Sequence, residues 1–415
     1  MKILYVSSHD LVGQQFNGYL LMNGLRERGL DARMFVHHAQ GDQPGVVYHP
    51  VNKGRILLNR GLDGLQKALS LWGVLPIHTI DIRNLEFYRL ADIVHLQLIH
   101  ASPFFSLLSL PRMSAEKKLL LTLHDPWMLT GHCVHPLECE RWKTGCGDCP
   151  DLARPFPIHR DTTAFTWRLK KRIMERTDIH LVVASEWMDQ KVASSPLLSH
   201  LPRSIIPLGL DTDMFQPRDK AFVRTELGIP QDAFVIAFRA VPFSPFKGVE
   251  YIEKALNELS TDKPIFLILF DSKGLMPQLT GRYPSLELGW VTDSERIAQA
   301  LNAADLFLMP SLAEAFGMMA VESMACGTPV IVFEGTALPS VVKAPRGGLA
   351  VPARDADALR AAIETLINDP GRYRELVRNG LEIVQQEYTT EKYVSRHLEL
   401  YSKLVGEPVL SKGNT

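Results

Sequence analysis

Short apolar runs alternate with longer amphipathic ones along almost the whole chain. The opening run KILYVSS is followed by a helical pattern through NGYLLMNGLRERG, with Gly29 at the C-terminal cap position. ARMFV, DIVHLQ, KLLLTLHD and HLVVAS read as further strands, the last entered from the basic helix TWRLKKRIMER. The stretch SIIPLGLDTDMFQP, rich in Pro, Gly and Asp, breaks this rhythm, after which the pattern restarts. AFVIAFRA, IFLILF, SLELGW, DLFLMP and TPVIVF are strands, separated by helices such as GVEYIEKALNEL and SERIAQALNAA. Continuous apolar strands alternating with helices predict parallel sheets covered on both faces. The chain is therefore expected to be α/β, with two doubly wound domains joined near residue 208 and TEKYVSRHLELYSKLV as a last helix. Such a pair leaves a cleft facing the carboxyl ends of both sheets, where ligands of open α/β folds bind. Chemical residues are accordingly sought just after strands.

Composition narrows the classes. A length of 415 residues favours two or three domains over one. Lys and Arg number 45 against 46 Asp and Glu, so no global attraction to nucleic acid is implied. MKILYVSSHD lacks the long apolar region and small-residue cleavage site of a signal peptide, and no apolar run reaches bilayer-spanning length. A cytoplasmic protein is expected, with contact at the inner membrane face left open. Of five cysteines, four lie between residues 133 and 149, and in a reducing compartment such a cluster suggests metal more than disulfides.

The stretch SLAEAFGMMAVESMACGTPVIV, residues 311–332, is mostly small and apolar, yet it holds Glu314 and Glu322. Burying an unpaired carboxylate costs several kcal/mol or more, so each acid needs a partner. The pattern places Glu314 in a loop after the strand DLFLMPS, and a helix from Gly317 to Cys326 follows. Phe316 and Gly317 then lie at the helix N-terminus, whose free N–H groups attract anions. Glu322 falls on the second helical turn, where a carboxylate suits the paired hydroxyls of a ribose. Taken alone, two glutamates at this spacing are equally an N-terminal helix acid and a salt-bridged one.

PSLAEAFGMMAVESMACGTPVIV resembles the signature of retaining glycosyltransferases of family four, and ASEWMDQKVASSPLL, IIPLGLDTDMFQP and GGLAVPARDADAL are similar to other stretches of that family. The resemblance implies a GT-B fold, two Rossmann-like domains facing a central cleft, with the C-terminal helix packing back on the first domain. Its division here would be 1–208 for the acceptor side, 209–390 for the nucleotide-sugar domain, and 391–415 for the terminal helix and tail. It implies transfer of a sugar, with retention, from a nucleotide-sugar co-substrate to a glycan or lipid-linked acceptor in cell-surface polysaccharide or glycolipid synthesis. Glu322 would hold the donor ribose, while Glu314 and the Phe316–Gly317 backbone would contact the hexose. Arg239 and Lys247, in FRAVPFSPFKGVE just past a strand, would clamp the donor diphosphate, with Gly248 allowing close backbone approach. His124, at the end of LLLTLHD, would lie near the donor sugar, and Gly13 and Gly18 belong to the loop that faces the phosphates. Gln97 stands where the family often has histidine, which bears on the acceptor side. The fold needs no catalytic divalent ion, so Asp211 and Asp213 are read as a loop turn.

Two features lie outside this scheme. The helix around residues 167–176 carries Phe165, Leu169 and Ile173 at four-residue spacing, with Arg168, Lys171, Arg172 and Arg176 elsewhere. It is either a solvated amphipathic helix or a weak contact for anionic lipid. Cys133, Cys139, Cys146 and Cys149, in the loop 131–150, suit a structural tetrahedral zinc, with His132 or His135 able to replace one thiolate. Reduced thiols packed in a loop and a pair of disulfides are the rival readings. Two other functions share the fold: a non-catalytic nucleotide-sugar-binding protein, and a nucleotide-sugar epimerase or hydrolase.

Overall fold

The apolar runs become two separate parallel sheets. The structure is a computed structural model and describes residues 1–11, 13–40, 42–48, 53–74, 82–100, 104–153, 157–241, 244–272, 274 and 276–406. The end of the tail, residues 407–415, lies outside them. The chain divides into one unit of residues 1–209 and 390–415 and another of residues 210–389.

In the first unit β1 (Lys2–His9), β2 (Asp31–His38), β3 (Val46–Tyr48), β4 (Ile93–Leu96), β5 (Lys118–Leu123), β6 (His180–Val183) and β7 (Arg203–Ile205) form one parallel sheet, in the order β3-β2-β1-β4-β5-β6-β7. β1 pairs with β2 on one side and β4 on the other, so the strand order reverses there. All four residues of β4 are buried, as a strand covered on both faces must be. The last helix, Thr390–Val405, belongs to this unit. It buries Tyr401, whose hydroxyl lies 2.9 Å from that of Tyr5 on β1 and 2.6 Å from Nδ1 of His95 on β4. The other ring nitrogen of His95 is 2.8 Å from Oγ1 of Thr122 on β5, so a polar chain ties the terminal helix to three adjacent strands.

In the second unit β8 (Phe234–Arg239), β9 (Ile265–Phe270), β10 (Ser285–Gly289), β11 (Leu306–Met309), β12 (Val330–Phe333) and β13 (Leu349–Val351) run in the order β10-β9-β8-β11-β12-β13. β9 is buried at all six positions. Several of its helices begin on acidic caps. Asp293 accepts from the Glu295 N–H ahead of Ser294–Ala303, and Asp355 accepts from Ala358 ahead of Ala356–Asn368. Asp211 accepts from the N–H groups of Asp213 and Met214, which makes that acidic pair a turn. Among the described residues no helix is long and apolar enough to cross a membrane.

Candidate active site

In the second unit the predicted donor residues sit at the carboxyl ends of neighbouring strands. Arg239 is the last residue of β8, and its guanidinium pairs with Asp271, which immediately follows β9. Asp271 has φ +60, an uncommon backbone state for a residue with a side chain, held at a strand end. The guanidinium also lies 5.2 Å from the ring centroid of Trp290, which follows β10 and is 73% exposed. Neither Asp271 nor Trp290 figures among the sequence candidates. Their one visible signal is position, an acid and an aromatic directly after apolar runs.

Lys247 lies in the turn between β8 and the helix Val249–Asn257. Its Nζ is 3.0 Å from Oε2 of Glu314, so the structure brings these two candidates together as an ion pair. The backbone explains how. The Leu312 N–H donates to the Phe246 carbonyl at 2.8 Å, which joins the lysine turn to the loop after β11. Gly248 has φ +63, and a Cβ there would lie 2.1 Å from the Pro310 carbonyl oxygen, so only glycine lets the two segments touch.

The helix Met318–Ala325 starts from Gly317, which lies at φ +98, and its N-terminal N–H groups have no side-chain cap. Phe316 is buried, its ring set edge-on to Tyr388 at 5.7 Å, so the backbone of this corner is anchored from behind. Glu322, on that helix, is only 4% exposed. The arrangement therefore presents uncapped N–H groups, one ammonium and one guanidinium, each cation held by a carboxylate. Such a set can receive a polyanion by exchange of partners.

In the first unit His124 follows β5. Its Nε2 lies 2.8 Å from Oε1 of Gln97, which follows β4, and its ring stands 5.7 Å from that of Phe16. Burial holds the His124 ring down at about 4, so it is neutral near pH 7. Beside it Asp125 is 2.9 Å from Nε2 of His100. Burial opposes ionisation of this carboxyl, but the charge and hydrogen bond of His100 prevail and hold it at about 2. Gly13 and Gly18 both have positive φ in the loop between β1 and the helix Tyr19–Arg26. A Cβ on Gly13 would strike the Phe16 ring.

One sequence expectation is corrected here. In the basic helix, Thr163–Met174, the buried residues are Thr163, Thr166, Trp167, Lys170, Ile173 and Met174, while Phe165 is 55% exposed. Phe165, Leu169 and Ile173 thus do not form its inner face. Lys170 turns inward because its ammonium donates to the carbonyls of Trp127 and Thr130, at 2.6 and 2.9 Å, and rests 3.6 Å from the Trp127 ring centroid. Among the described residues no group of three or more His, Cys, Asp or Glu is placed to hold a metal ion, and Cys133, Cys139, Cys146 and Cys149 form no disulfide. Burial pushes the Cys146 thiol up to about 11, with Cys133 and Cys139 adding to the effect.

Residues 219–382 match the family model of glycosyl transferases group 1. The second unit is a glycosyl transferases group 1 domain. This domain contains Arg239, Lys247, Glu314 and Glu322. A D-inositol 3-phosphate glycosyltransferase of Segniliparus rotundus is 33% identical over 190 residues, 43% of this chain and 42% of that protein. An alpha-maltose-1-phosphate synthase of Mycolicibacterium smegmatis is 26% identical over 300 residues, 67% of this chain and 73% of that protein. The chain therefore spans about two fifths of the first relative and about three quarters of the second. Among solved structures, a sucrose-phosphate synthase from Thermosynechococcus elongatus matches with a TM-score of 0.70 and 21% identity, over 98% of this chain and 99% of that one. Anabaena HepE in complex with UDP-glucose matches with a TM-score of 0.66 and 17% identity, over 97% and 100%. The group 1 domain and the first unit thus have the GT-B fold.

Proposed function

We propose that the chain is a retaining glycosyltransferase that moves a sugar from a nucleotide-sugar donor to a sugar phosphate, glycan or lipid-linked acceptor. The observation that carries this is the Lys247–Glu314 pair at 3.0 Å, set beside the uncapped start of the helix Met318–Ala325. Lys247 exchanges Glu314 for a donor phosphate, and Arg239 exchanges Asp271. Glu314 is then free to accept hydrogen bonds from the hexose, and Glu322 accepts them from the ribose. As the glycosidic bond to the diphosphate breaks, negative charge grows on the leaving oxygens, and the two cations and the helix N–H groups stabilise it in place. His124, neutral, contributes a hydrogen bond to the donor sugar without adding charge. No catalytic metal is used in this scheme. The names of the relatives support sugar-phosphate chemistry, and the UDP-glucose held by Anabaena HepE supports a nucleotide-sugar donor.

The exposed row Arg168, Arg172 and Arg176 supports weak contact with an anionic membrane face in a cytoplasmic setting. The test of the main reading is calorimetric titration with a panel of nucleoside diphosphates and nucleotide sugars, on the wild type, Arg239→Ala and Lys247→Ala. Binding by the wild type, weakened in both folded variants, supports it. Wild-type affinity in both variants, or nucleotide released equally fast without any acceptor, refutes the clamp or the transfer respectively.

A further inference from the structure

Gln97 is buried to 1% exposure at the carboxyl end of β4, in a position the scheme above leaves idle. Its backbone N–H is fixed to the Val6 carbonyl at 2.9 Å, so the side chain has a firm base. Oε1 meets His124 at 2.8 Å, while the buried amide nitrogen Nε2 has no hydrogen-bond partner among the described residues. An orphaned buried amide is costly and marks a place where a ligand or water belongs. A cavity of about 10 Å³, the room one water needs, is lined by Gln97, His100, Thr122, His124 and Asp125. Gly18 makes space for the amide. A Cβ there would lie 3.0 Å from Cγ of Gln97 and 3.1 Å from the Tyr5 ring. The glycine that the sequence assigns to donor phosphates is therefore also required by Gln97.

We infer that Gln97 is a positioning residue: its carbonyl oxygen holds His124 in the tautomer protonated on Nε2, leaving Nδ1 as the acceptor for a sugar hydroxyl, while its own N–H₂ group donates to a ligand oxygen at the same place. A neutral imidazole has one donor and one acceptor nitrogen, so a proton given to Gln97 from Nε2 fixes the role of Nδ1. The opposite amide orientation would reverse both roles, and the ring would then donate to the substrate. The charged and titratable groups around His124 do not choose between them. Asp125 is engaged by His100 at 2.9 Å, and His95, behind Thr122, is itself kept neutral by burial. The inference rests on the proposed contact of His124 with the donor sugar.

The test is nitrogen-15 spectroscopy of histidine-labelled full-length protein, with the His124 signals assigned by their loss in His124→Ala. Wild-type protein should show the Nε2–H tautomer. Gln97→Met, of similar shape, should release His124 into a tautomer mixture and lower kcat/KM about tenfold, the loss of one neutral hydrogen bond. Gln97→Glu should raise the His124 titration midpoint and carry the acidic limb of the pH–rate profile upward with it. An Nδ1–H tautomer in the wild type, or a tautomer unchanged in Gln97→Met, overturns the inference. A tautomer that follows Gln97 while transfer is indifferent to both residues leaves the positioning standing and overturns the role of His124 itself.

Discussion

Gly248→Ala isolates the contact that brings Lys247 to Glu314. An alanine at φ +63 costs about 1–2 kcal/mol for the left-handed backbone alone. Its Cβ would also sit 2.1 Å from the Pro310 oxygen and must open to at least 3.0 Å, so the lysine turn or the loop after β11 moves by about 0.9 Å. That movement strains the Leu312–Phe246 hydrogen bond, worth about 0.5–1.5 kcal/mol. The expected total is about 1.5–3.5 kcal/mol. Gly228→Ala is the control in the same unit. It has φ +67 with nothing within 4 Å of its Cβ, and should lose about 1–2 kcal/mol from the backbone term alone. Each kcal/mol corresponds to about 2–4 °C in Tm for a unit of this size. Displacements near 1 Å at a reacting site cost up to about 100-fold in rate. Gly248→Ala should therefore also lose nucleoside diphosphate affinity and transfer rate, whereas Gly228→Ala should keep both. Urea unfolding, thermal melting and calorimetric titration of the two variants measure this. Equal destabilisation with unchanged affinity would falsify the claim that the Pro310 contact seats Lys247.

Glu322→Ala should weaken donor binding and Glu314→Ala should mainly lower turnover, each by about 1.5–3 kcal/mol for a hydrogen bond to a charged group; a folded double variant with wild-type affinity and rate refutes both roles. Burial holds His124, His132 and His397 at about 4, below the unfolded value of 6.5. The unfolded chain then binds more protons between those values, so stability is full above about pH 6.5 and falls as pH drops toward 4. Urea midpoints that stay flat across that window contradict this. Lys170→Met should destabilise by about 1–3 kcal/mol, because the Thr130 carbonyl loses its ammonium donor while the Trp127 carbonyl keeps the Thr130 N–H and hydroxyl, and a variant as stable as wild type would show that the inward ammonium contributes nothing net. Trp290→Ala should lower nucleotide affinity by removing a stacking surface worth about 1–3 kcal/mol beside Arg239, and equal affinity removes Trp290 from the site.

Hydrophobic period is a local property, and what depends on it was legible in the chain. IFLILF is buried at every position in β9, and TEKYVSRHLELYSKLV is the helix Thr390–Val405 residue for residue. The signature around Glu314 and Glu322 is likewise local, because the strand, uncapped helix start and small-residue helix are consecutive. The three-residue strands β3, β7 and β13 have no period to read and exist only because a neighbouring strand offers a ladder. Long-range pairing decided the rest. Lys247 meets Glu314 67 positions away, Arg239 meets Asp271 32 positions away, and Lys170 is buried by two carbonyls at least 40 positions earlier. A charge read along the chain looks solvated until such partners are known, because the energy that allows its burial comes entirely from groups that only the folded backbone brings near.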